Sequence, residues 1–397
     1  MRLILHIGTP KTGSSALQKC LQLNENSLAD KGIYYAHMAR SPASDSLASW
    51  VANKRGDDVH AFVDRHVKKA SAIGANVLII SAVPFYAMTT FFHKFDGRKY
   101  QDYWESEAEA IEFFHRVLPP EMPTRLIVFF RRQDFFLESM YRQMVRSVRA
   151  VALPIDEFMV FIKEALDYRH HMEIWSTSFS DCSVYSYEQV SNNSTEFFLR
   201  NVLQLVSTEG LRGLDLRLNN RWGRDVLEYK RMLNSMEMSD VDRQMSKLAC
   251  TELARTLRDD GRYQDYLAPD ARAALLRDAA RGNAALSKTF GMEPFPILSN
   301  DNLRSWAPYT GLSAERAREL AEDHARIRKS IRYRIERSAL LAEQRIQRRL
   351  PRLAWIIPMG RFLLRQLQRA QARACAAASH YNQQQRSTPV QGSSGSR

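Results

Sequence analysis

The chain has 397 residues, of which 45% are hydrophobic and 25% are charged, a composition typical of a globular protein with one large domain or two smaller ones. Its four cysteines stand far apart with no CxxC pair, which argues against a disulfide framework or a zinc site and favours a reducing compartment. The net charge of +13 is concentrated from Leu340 on, where ten arginines and one acid give +9, whereas the other 339 residues carry 47 basic and 43 acidic side chains. The body of the chain is therefore nearly neutral, and we expect no nucleic-acid partner.

The start of the chain does not look like a targeting segment. The apolar run Leu3–Ile7 has the length of a strand, and a glycine loop follows it where a signal peptide would carry a cleavage site. No stretch approaches the ~20 apolar residues that a membrane-spanning helix needs. We therefore expect a cytoplasmic protein.

Short apolar runs alternate with helical patterns in the first half of the chain. The runs read as strands are Leu3–Ile7, Val77–Ser81, Arg125–Phe130 and Cys182–Tyr187. Helical patterns follow the first run from about Ser14 to Asn24, the third through Phe135–Met144, and the fourth through Phe197–Leu205. Strands that alternate with helices in this way predict a three-layer α/β/α fold with a central parallel sheet, whose ligands bind at the carboxyl ends of the strands.

The second half of the chain reads as helical. From about Asn219 the strand signals stop, and helices are predicted over 224–234, 240–259 and 269–286 and from Ser313 on. We predict an α/β domain over residues 1–300 with its helical extension from about 219, and a basic helical region over 301–382. The Gln/Ser/Gly-rich segment 383–397 is predicted to be a disordered tail.

The loop after the first strand, Gly8-Thr-Pro-Lys-Thr-Gly-Ser-Ser15, has the properties of an anion site. A tight turn after a parallel strand points backbone N–H groups inward, and the helix that follows adds partial positive charge at its amino end. Gly13 lets the backbone approach the anion closely, and the hydroxyls of Thr12, Ser14 and Ser15 can donate further hydrogen bonds. Lys11 can hold a phosphate oxygen on which charge develops.

This loop resembles the PKTGTT-like 5′-phosphosulfate loop of sulfotransferases that use 3′-phosphoadenosine 5′-phosphosulfate. It is most similar to bacterial members that open with an LHIGxxKTGTTxLQ-like stretch, which here reads Leu5-His-Ile-Gly-Thr-Pro-Lys-Thr-Gly-Ser-Ser-Ala-Leu-Gln18. The resemblance implies a P-loop-like phosphosulfate loop in which Lys11, Thr12, Gly13, Ser14 and Ser15 bind the donor and Lys11 also acts in catalysis. It implies no metal.

The family's 3′-phosphate site is an arginine at the end of a parallel strand and a serine eight residues later, in the next helix. Arg131 and Ser139 have this spacing after the run Ile127–Phe130, and the planar fork of an arginine suits a phosphate. The resemblance therefore implies that Arg131 and Ser139 bind the donor. A strand that ends in the YED-like turn Tyr185–Val190, and the segment Leu267–Arg272 with Asn283 after it, are weaker likenesses that extend to about residue 295.

Sulfuryl transfer also needs a base that takes the proton of the acceptor. Relatives often place an acid after the strand that corresponds to Val77–Ser81, but this strand continues Ala-Val-Pro-Phe-Tyr86 with no carboxylate. The ionisable candidates are His37 and Asp45 after the first helix, and His93 and Asp96 after the second strand; the histidines are favoured because their usual pKa lies near neutrality. Either the base is unusual, or the chain binds the donor and turns it over poorly.

The basic C-terminal region carries an arginine every four residues, at Arg361, Arg365, Arg369 and Arg373, beside an apolar side that includes Phe362 and Leu363–Leu364. Such a helix can lie on an anionic membrane surface or pack on the body with its charges in water.

Three functions stay open from the sequence. The first is a sulfotransferase that modifies a hydroxyl, for which family analogy suggests a carbohydrate or glycolipid acceptor and a place at the inner face of the membrane. The second is a P-loop kinase, which the missing GK[ST] disfavours. The third is a catalytically weak or dead nucleotide-binding protein that acts at a membrane surface through its tail.

Overall fold

The computed structural model describes residues 1–37, 43–89, 103–148, 151–216, 222–257, 265–296, 309 and 311–349. The chain is an α/β protein that is about 64% helical, with a central sheet of five strands that are all parallel. The strands are β1 (Arg2–His6), β2 (Ile33–Tyr35), β3 (Val77–Ser81), β4 (Thr124–Phe130) and β5 (Asp181–Ser186). The predicted α/β class with a parallel sheet is confirmed.

The described helices are given in two groups, those that precede β5 in the chain and those that follow it. Those before β5 are α1 (Ser14–Leu23), α2 (Glu25–Ala29), α3 (Ala43–Ala52), α4 (Gly56–Ala72), α5 (Tyr103–Val117), α6 (Gln133–Arg146), α7 (Ile155–Phe161) and α8 (Tyr168–Ser178), with 3₁₀ turns at Val83–Ala87 and Lys163–Leu166. Those after β5 are α9 (Tyr187–Val190), α10 (Ser194–Phe197), α11 (Arg224–Asn234), α12 (Asp240–Thr256), α13 (Pro269–Phe290), α14 (Ala314–Lys329) and α15 (Ile331–Arg349). A π-helical turn, Phe198–Val202, continues α10.

The order of the strands across the sheet is β2-β3-β1-β4-β5. β1 lies between β3 and β4, with Leu5 opposite Ile80 on one side and opposite Leu126 on the other. The connection after β1 leads towards β2 at one edge, and the connection after β4 leads to β5 at the other edge. Neighbouring strands whose connections leave in opposite directions form the switch point at which open α/β sheets bind ligands.

Both faces of the sheet are buried, because every residue of β3 and the last five residues of β4 lie in the interior while alternate side chains point to opposite faces. One face forms an apolar cluster with α1 and the π-helical turn; its strand members are Ile4, Ile33, Tyr35, Val77, Ile79, Ile127 and Phe129, and its helix members include Leu17, Leu21, Phe198 and Val202. On the opposite face Phe130 stacks on Tyr168 of α8, with ring centroids 4.3 Å apart. The core therefore fixes the strand ends from both sides.

The chain divides into two compact units. The first comprises Met1–Glu237 and Leu253–Leu320 and contains the whole sheet. The second comprises Met238–Glu252 and the described residues from Ala321 on, and it has its own small core, in which Val241, Met245 and Ala249 pack with Tyr333.

Several predicted features lie outside the described residues, namely His93, Asp96, the arginine stripe from Arg361 to Arg373 and the tail 383–397. None of the helices in the described ranges combines the length and the hydropathy of a transmembrane span.

Candidate anion-binding site

The loop after β1 and the turn after β4 lie side by side at the switch point. The N–H of Ile7 donates to the carbonyl of Ile127 (3.1 Å) and the N–H of Thr9 to that of Phe129 (3.2 Å), so the loop continues along β4 past the end of β1. The hydroxyl of Thr9, which is fully buried, donates to the same Phe129 carbonyl (2.9 Å). The entry into the loop is thus held by three bonds to the neighbouring strand.

The backbone at the tip of the loop has an uncommon conformation. Lys11 has a φ of 75°, a left-handed conformation that costs a side-chain-bearing residue roughly 1–2 kcal/mol. Strain of this kind tends to mark sites where the chain is held for a function. The hydroxyl of Thr12 is buried and donates to the carbonyl of Thr9 (2.7 Å), so its hydrogen is used within the loop.

Gly13 ends the loop and precedes α1. Its φ is 77°, and a Cβ at this position would lie 2.7 Å from the hydroxyl oxygen of Ser194 and 3.6 Å from the ring of Tyr187. Both the conformation and the close approach therefore require glycine. Among the described residues no side chain caps the start of α1, and the N–H groups of Ala16 (2.9 Å) and Leu17 (3.1 Å) donate to the carbonyl of Gly13. The amides of Ser14 and Ser15 are therefore the ones at this helix start that can meet an anion. Ser14 is buried at this helix start and Ser15 is exposed.

Arg131 follows β4 directly and reaches the loop. Its Nη1 donates to the carbonyl of Lys11 (3.3 Å), and its guanidinium lies 5.7 Å from the ring centroid of Phe135 and 5.9 Å from that of Tyr187. Its carbonyl accepts the hydroxyl hydrogen of Tyr168 (2.6 Å), which anchors the backbone of the turn. The structure thus brings together the two motifs, Gly8–Ser15 and Arg131, that the sequence predicts to share a ligand.

Glu188 is the carboxylate closest to this arginine in the described part of the chain. Its Oε1 lies 3.9 Å from Nε of Arg131, and both of its oxygens accept the backbone N–H of Arg132 at 3.1 Å. Burial raises the pKa of the Glu188 carboxyl, and the Arg132 amide with the charges of Arg131 and Arg132 counteracts this effect. Glu188 follows β5 at the same edge of the sheet, so three strand ends meet here.

The second arginine of the pair, Arg132, has a different role. It is 4% exposed and forms two parallel bonds with Asp134, from Nε (2.8 Å) and Nη2 (2.9 Å), while its Nη1 donates to the carbonyl of Pro296 (2.8 Å). Arg272 of α13 binds the same Asp134 (2.5 Å) and also Glu138 (2.9 Å). Burial alone would raise the pKa of Asp134, but its bonds to the two arginines lower it.

This buried network fixes α6, the helix that starts directly after Arg131 and Arg132. A pair of amide bonds between Gln133 and Asn283 (2.7 and 3.1 Å) adds a further link between α6 and α13. Arg272 and Asn283 belong to the segment that only weakly resembles the sulfotransferase family. In the structure both residues hold α13 against α6.

Ser139 lies in the second turn of α6. Most of this helix is buried, and its partly exposed residues Phe135, Ser139, Arg142 and Arg146 recur every three or four positions, which places them along one face. Because Arg131 contacts Phe135 at the start of this face, Ser139 comes one turn further along the same accessible stripe. The described contacts include no bond between Arg131 and Ser139.

A buried histidine, His6, packs against the start of the loop at Gly8. His6, at the end of β1, bonds through Nδ1 to the hydroxyl of Ser81 (2.8 Å), and its Nε2 would lie 2.7 Å from a Cβ on Gly8. Burial lowers the pKa of His6 to about 4, so the ring is neutral at pH 7. Gln18 of α1 donates to the carbonyl (3.0 Å) and hydroxyl (3.2 Å) of the same Ser81, which links α1 to β3.

The candidate bases are less well defined. His37 follows β2 at the carboxyl edge of the sheet and is half-buried, with its ring 6.1 Å from that of Tyr35. Because β2 is two strands from β1, it lies about 10 Å from β1 across the sheet. Asp45 lies in α3, but its side chain is outside the described residues, as are His93 and Asp96.

Four residues at the candidate site have no role predicted from the sequence, namely Thr9, Tyr187, Glu188 and Ser194. Thr9 lies within the predicted loop, and Tyr187 and Glu188 lie within the YED-like turn. For Tyr187 and Glu188 a signal existed in the sequence, since they directly follow a parallel strand.

Among the described residues no group of three or more His, Cys, Asp or Glu side chains could hold a metal ion. Comparison with protein-family models, curated proteins and solved structures finds no match to this chain.

Proposed function

We propose that this protein is a sulfotransferase that moves a sulfuryl group from 3′-phosphoadenosine 5′-phosphosulfate to a hydroxyl, with a carbohydrate or glycolipid as the acceptor class. The observation that carries the proposal is the bond between Nη1 of Arg131 and the carbonyl of Lys11. It joins an anion-type loop and a phosphate-type arginine, 120 residues apart in the chain, at the switch point of the sheet. A donor with phosphate groups at both ends of its ribose suits two neighbouring cationic subsites.

In the proposed complex the loop amides and the start of α1 bind the 5′-phosphosulfate, and Arg131 with Ser139 binds the 3′-phosphate. The acceptor oxygen attacks sulfur in line, the bond between sulfur and the bridging oxygen breaks, and Lys11 stabilises the charge that develops on that oxygen. The acceptor proton goes to a base, for which His37 and His93 are the candidates from the sequence. The reaction itself needs no metal ion, and adenosine 3′,5′-bisphosphate leaves as the product.

The proposal is tested by calorimetric titration of adenosine 3′,5′-bisphosphate into wild type, Arg131→Ala and Arg125→Ala. Arg125 is the matched control, because it is a half-buried arginine at the opposite end of β4 that bonds to Ser183 (2.9 and 3.1 Å). Arg131→Ala is expected to lose about 2–4 kcal/mol of binding free energy, as when a charge-assisted contact is removed. Arg125→Ala should bind like wild type, and equal losses in the two variants would contradict the assignment.

Lys11→Ala separates binding from chemistry. If Lys11 acts on the bridging oxygen, the variant should transfer sulfate from labelled donor to a hydroxyl acceptor about 10²–10³-fold more slowly, with a much smaller change in bisphosphate affinity. Wild type that binds the bisphosphate and transfers no sulfate to any of a panel of sugars and glycolipids would favour the donor-binding protein without turnover. Vesicles with and without anionic lipid would test the association expected of the tail from Leu340 on.

A further inference from the structure

One carboxylate faces both arginines of the turn after β4. Glu188 accepts the N–H of Arg132 with both oxygens (3.1 Å each), and its Oε1 lies 3.9 Å from Nε of Arg131. The side chain of Glu188 is 11% exposed, so solvent screens its interactions with the two arginines only weakly. Glu188 thereby holds the backbone of the turn and faces one edge of the guanidinium that the turn carries.

The donors of Arg131 can be accounted for one by one. A guanidinium has five N–H donors in a rigid plane. Nε is buried, has no hydrogen-bond partner among the described residues and faces Glu188, while one N–H of Nη1 goes to the carbonyl of Lys11. The guanidinium carbon lies 5.7 Å from the ring centroid of Phe135 and 5.9 Å from that of Tyr187. Among the described residues, Nη2 and the second hydrogen of Nη1 form no hydrogen bond, so this edge can meet a ligand. A bidentate phosphate contact needs two parallel donors on such an edge.

We propose that Glu188 is a positioning residue that acts through Arg131 and gives the site its preference for nucleotides with a 3′-phosphate. This inference rests on the proposed function, in which Arg131 binds that phosphate. The effect of Glu188 comes from its acceptor oxygens, which fix the turn, and outweighs the repulsion between its charge and the incoming phosphate. A glutamine keeps one acceptor oxygen of the same reach, whereas an alanine removes both.

The experiment measures the affinity of adenosine 3′,5′-bisphosphate and of adenosine 5′-phosphate for wild type, Glu188→Gln and Glu188→Ala. The ratio of the two affinities reports the 3′-phosphate alone, and a general loss of folding would not change it selectively. Glu188→Ala is expected to lower the ratio about tenfold or more, the loss of one charge-assisted contact, and Glu188→Gln to keep it within about threefold of wild type. An unchanged ratio in Glu188→Ala, or an equal fall in both variants, would overturn the inference.

Two further variants keep the test decisive. If Glu188→Ala does not fold, Glu188→Asp replaces it, because the shorter side chain withdraws the carboxylate from Arg132 N–H and should lower the ratio at least threefold. In an Arg131→Ala background the Glu188 substitutions should have no further effect on the ratio, and a further fall would show that Glu188 does not act through Arg131. If wild type itself binds neither nucleotide, the proposed function fails; if wild type prefers the bisphosphate and the Glu188 variants keep that preference, only this inference fails.

Discussion

Gly13 offers the sharpest test of the loop geometry. Substitution by alanine places a side chain on a residue with a φ of 77°, which costs about 1–2 kcal/mol, and brings its Cβ within 2.7 Å of the Ser194 hydroxyl. That hydroxyl can rotate away, so we expect the contact to add about 1 kcal/mol, near the low end for an overpacked site. The expected loss in free energy of unfolding is therefore about 2–3 kcal/mol.

Gly74 provides the matched control. Its φ is 68°, and a Cβ there would meet no atom within 4 Å, so Gly74→Ala carries the conformational cost without the contact. The effect of alanine on the unfolded chain is the same at both sites and cancels in the comparison. Urea denaturation should show Gly13→Ala about 1 kcal/mol less stable than Gly74→Ala, and Ser194→Ala in the Gly13→Ala background should recover that difference. Equal losses at the two glycines, or no recovery, would refute the close approach of Ser194 to the loop.

Two further predictions concern the support of the site. Arg272→Ala should lower the free energy of unfolding by about 3–5 kcal/mol, because the buried Asp134 and Glu138 lose a shared partner; Arg272→Lys should lose less, and equal denaturation midpoints for wild type and Arg272→Ala would contradict this. His6 has its pKa lowered by burial from 6.5 to about 4, so its contribution to stability is present above pH 6.5 and is lost as the pH falls towards 4. The stability advantage of wild type over His6→Gln should therefore shrink by about 1.6 kcal/mol between pH 6.5 and pH 5 in urea denaturation, and a difference that does not depend on pH would contradict the burial of a neutral ring.

The sequence predicts the strands that position the loop, but it does not predict the edge strand β2. Leu3–Ile7 and Val77–Ser81 are visible because a central parallel strand is apolar on both faces and ends in small or polar residues. β2 has three residues, Ile33–Tyr35, which is too short for a periodic pattern, and among the described strands it pairs only with β3. The sequence predicts that the fourth strand extends to Tyr187, but that residue begins α9. Its ring therefore lies beside Arg131 and Gly13.

Within the candidate site, the sequence identifies the residues that can be recognised from their neighbours in the chain. The loop and Arg131 can be found because each directly follows an apolar run, and the carboxyl ends of parallel strands share one edge of the sheet. The same reasoning cannot tell Arg131 from Arg132, since burial of the second depends on Pro296 and on a network completed by Arg272, both far away in the chain. Long-range partners of this kind leave no periodic trace in the sequence.

The central claim, that the switch point binds a bisphosphorylated adenosine, is tested most directly by calorimetric titration of wild type with adenosine 3′,5′-bisphosphate and by competition with ATP. The proposed sites predict saturable binding of one bisphosphate per chain, displaced by ATP only at much higher concentration. Absence of bisphosphate binding, or tighter binding of ATP, would contradict the claim.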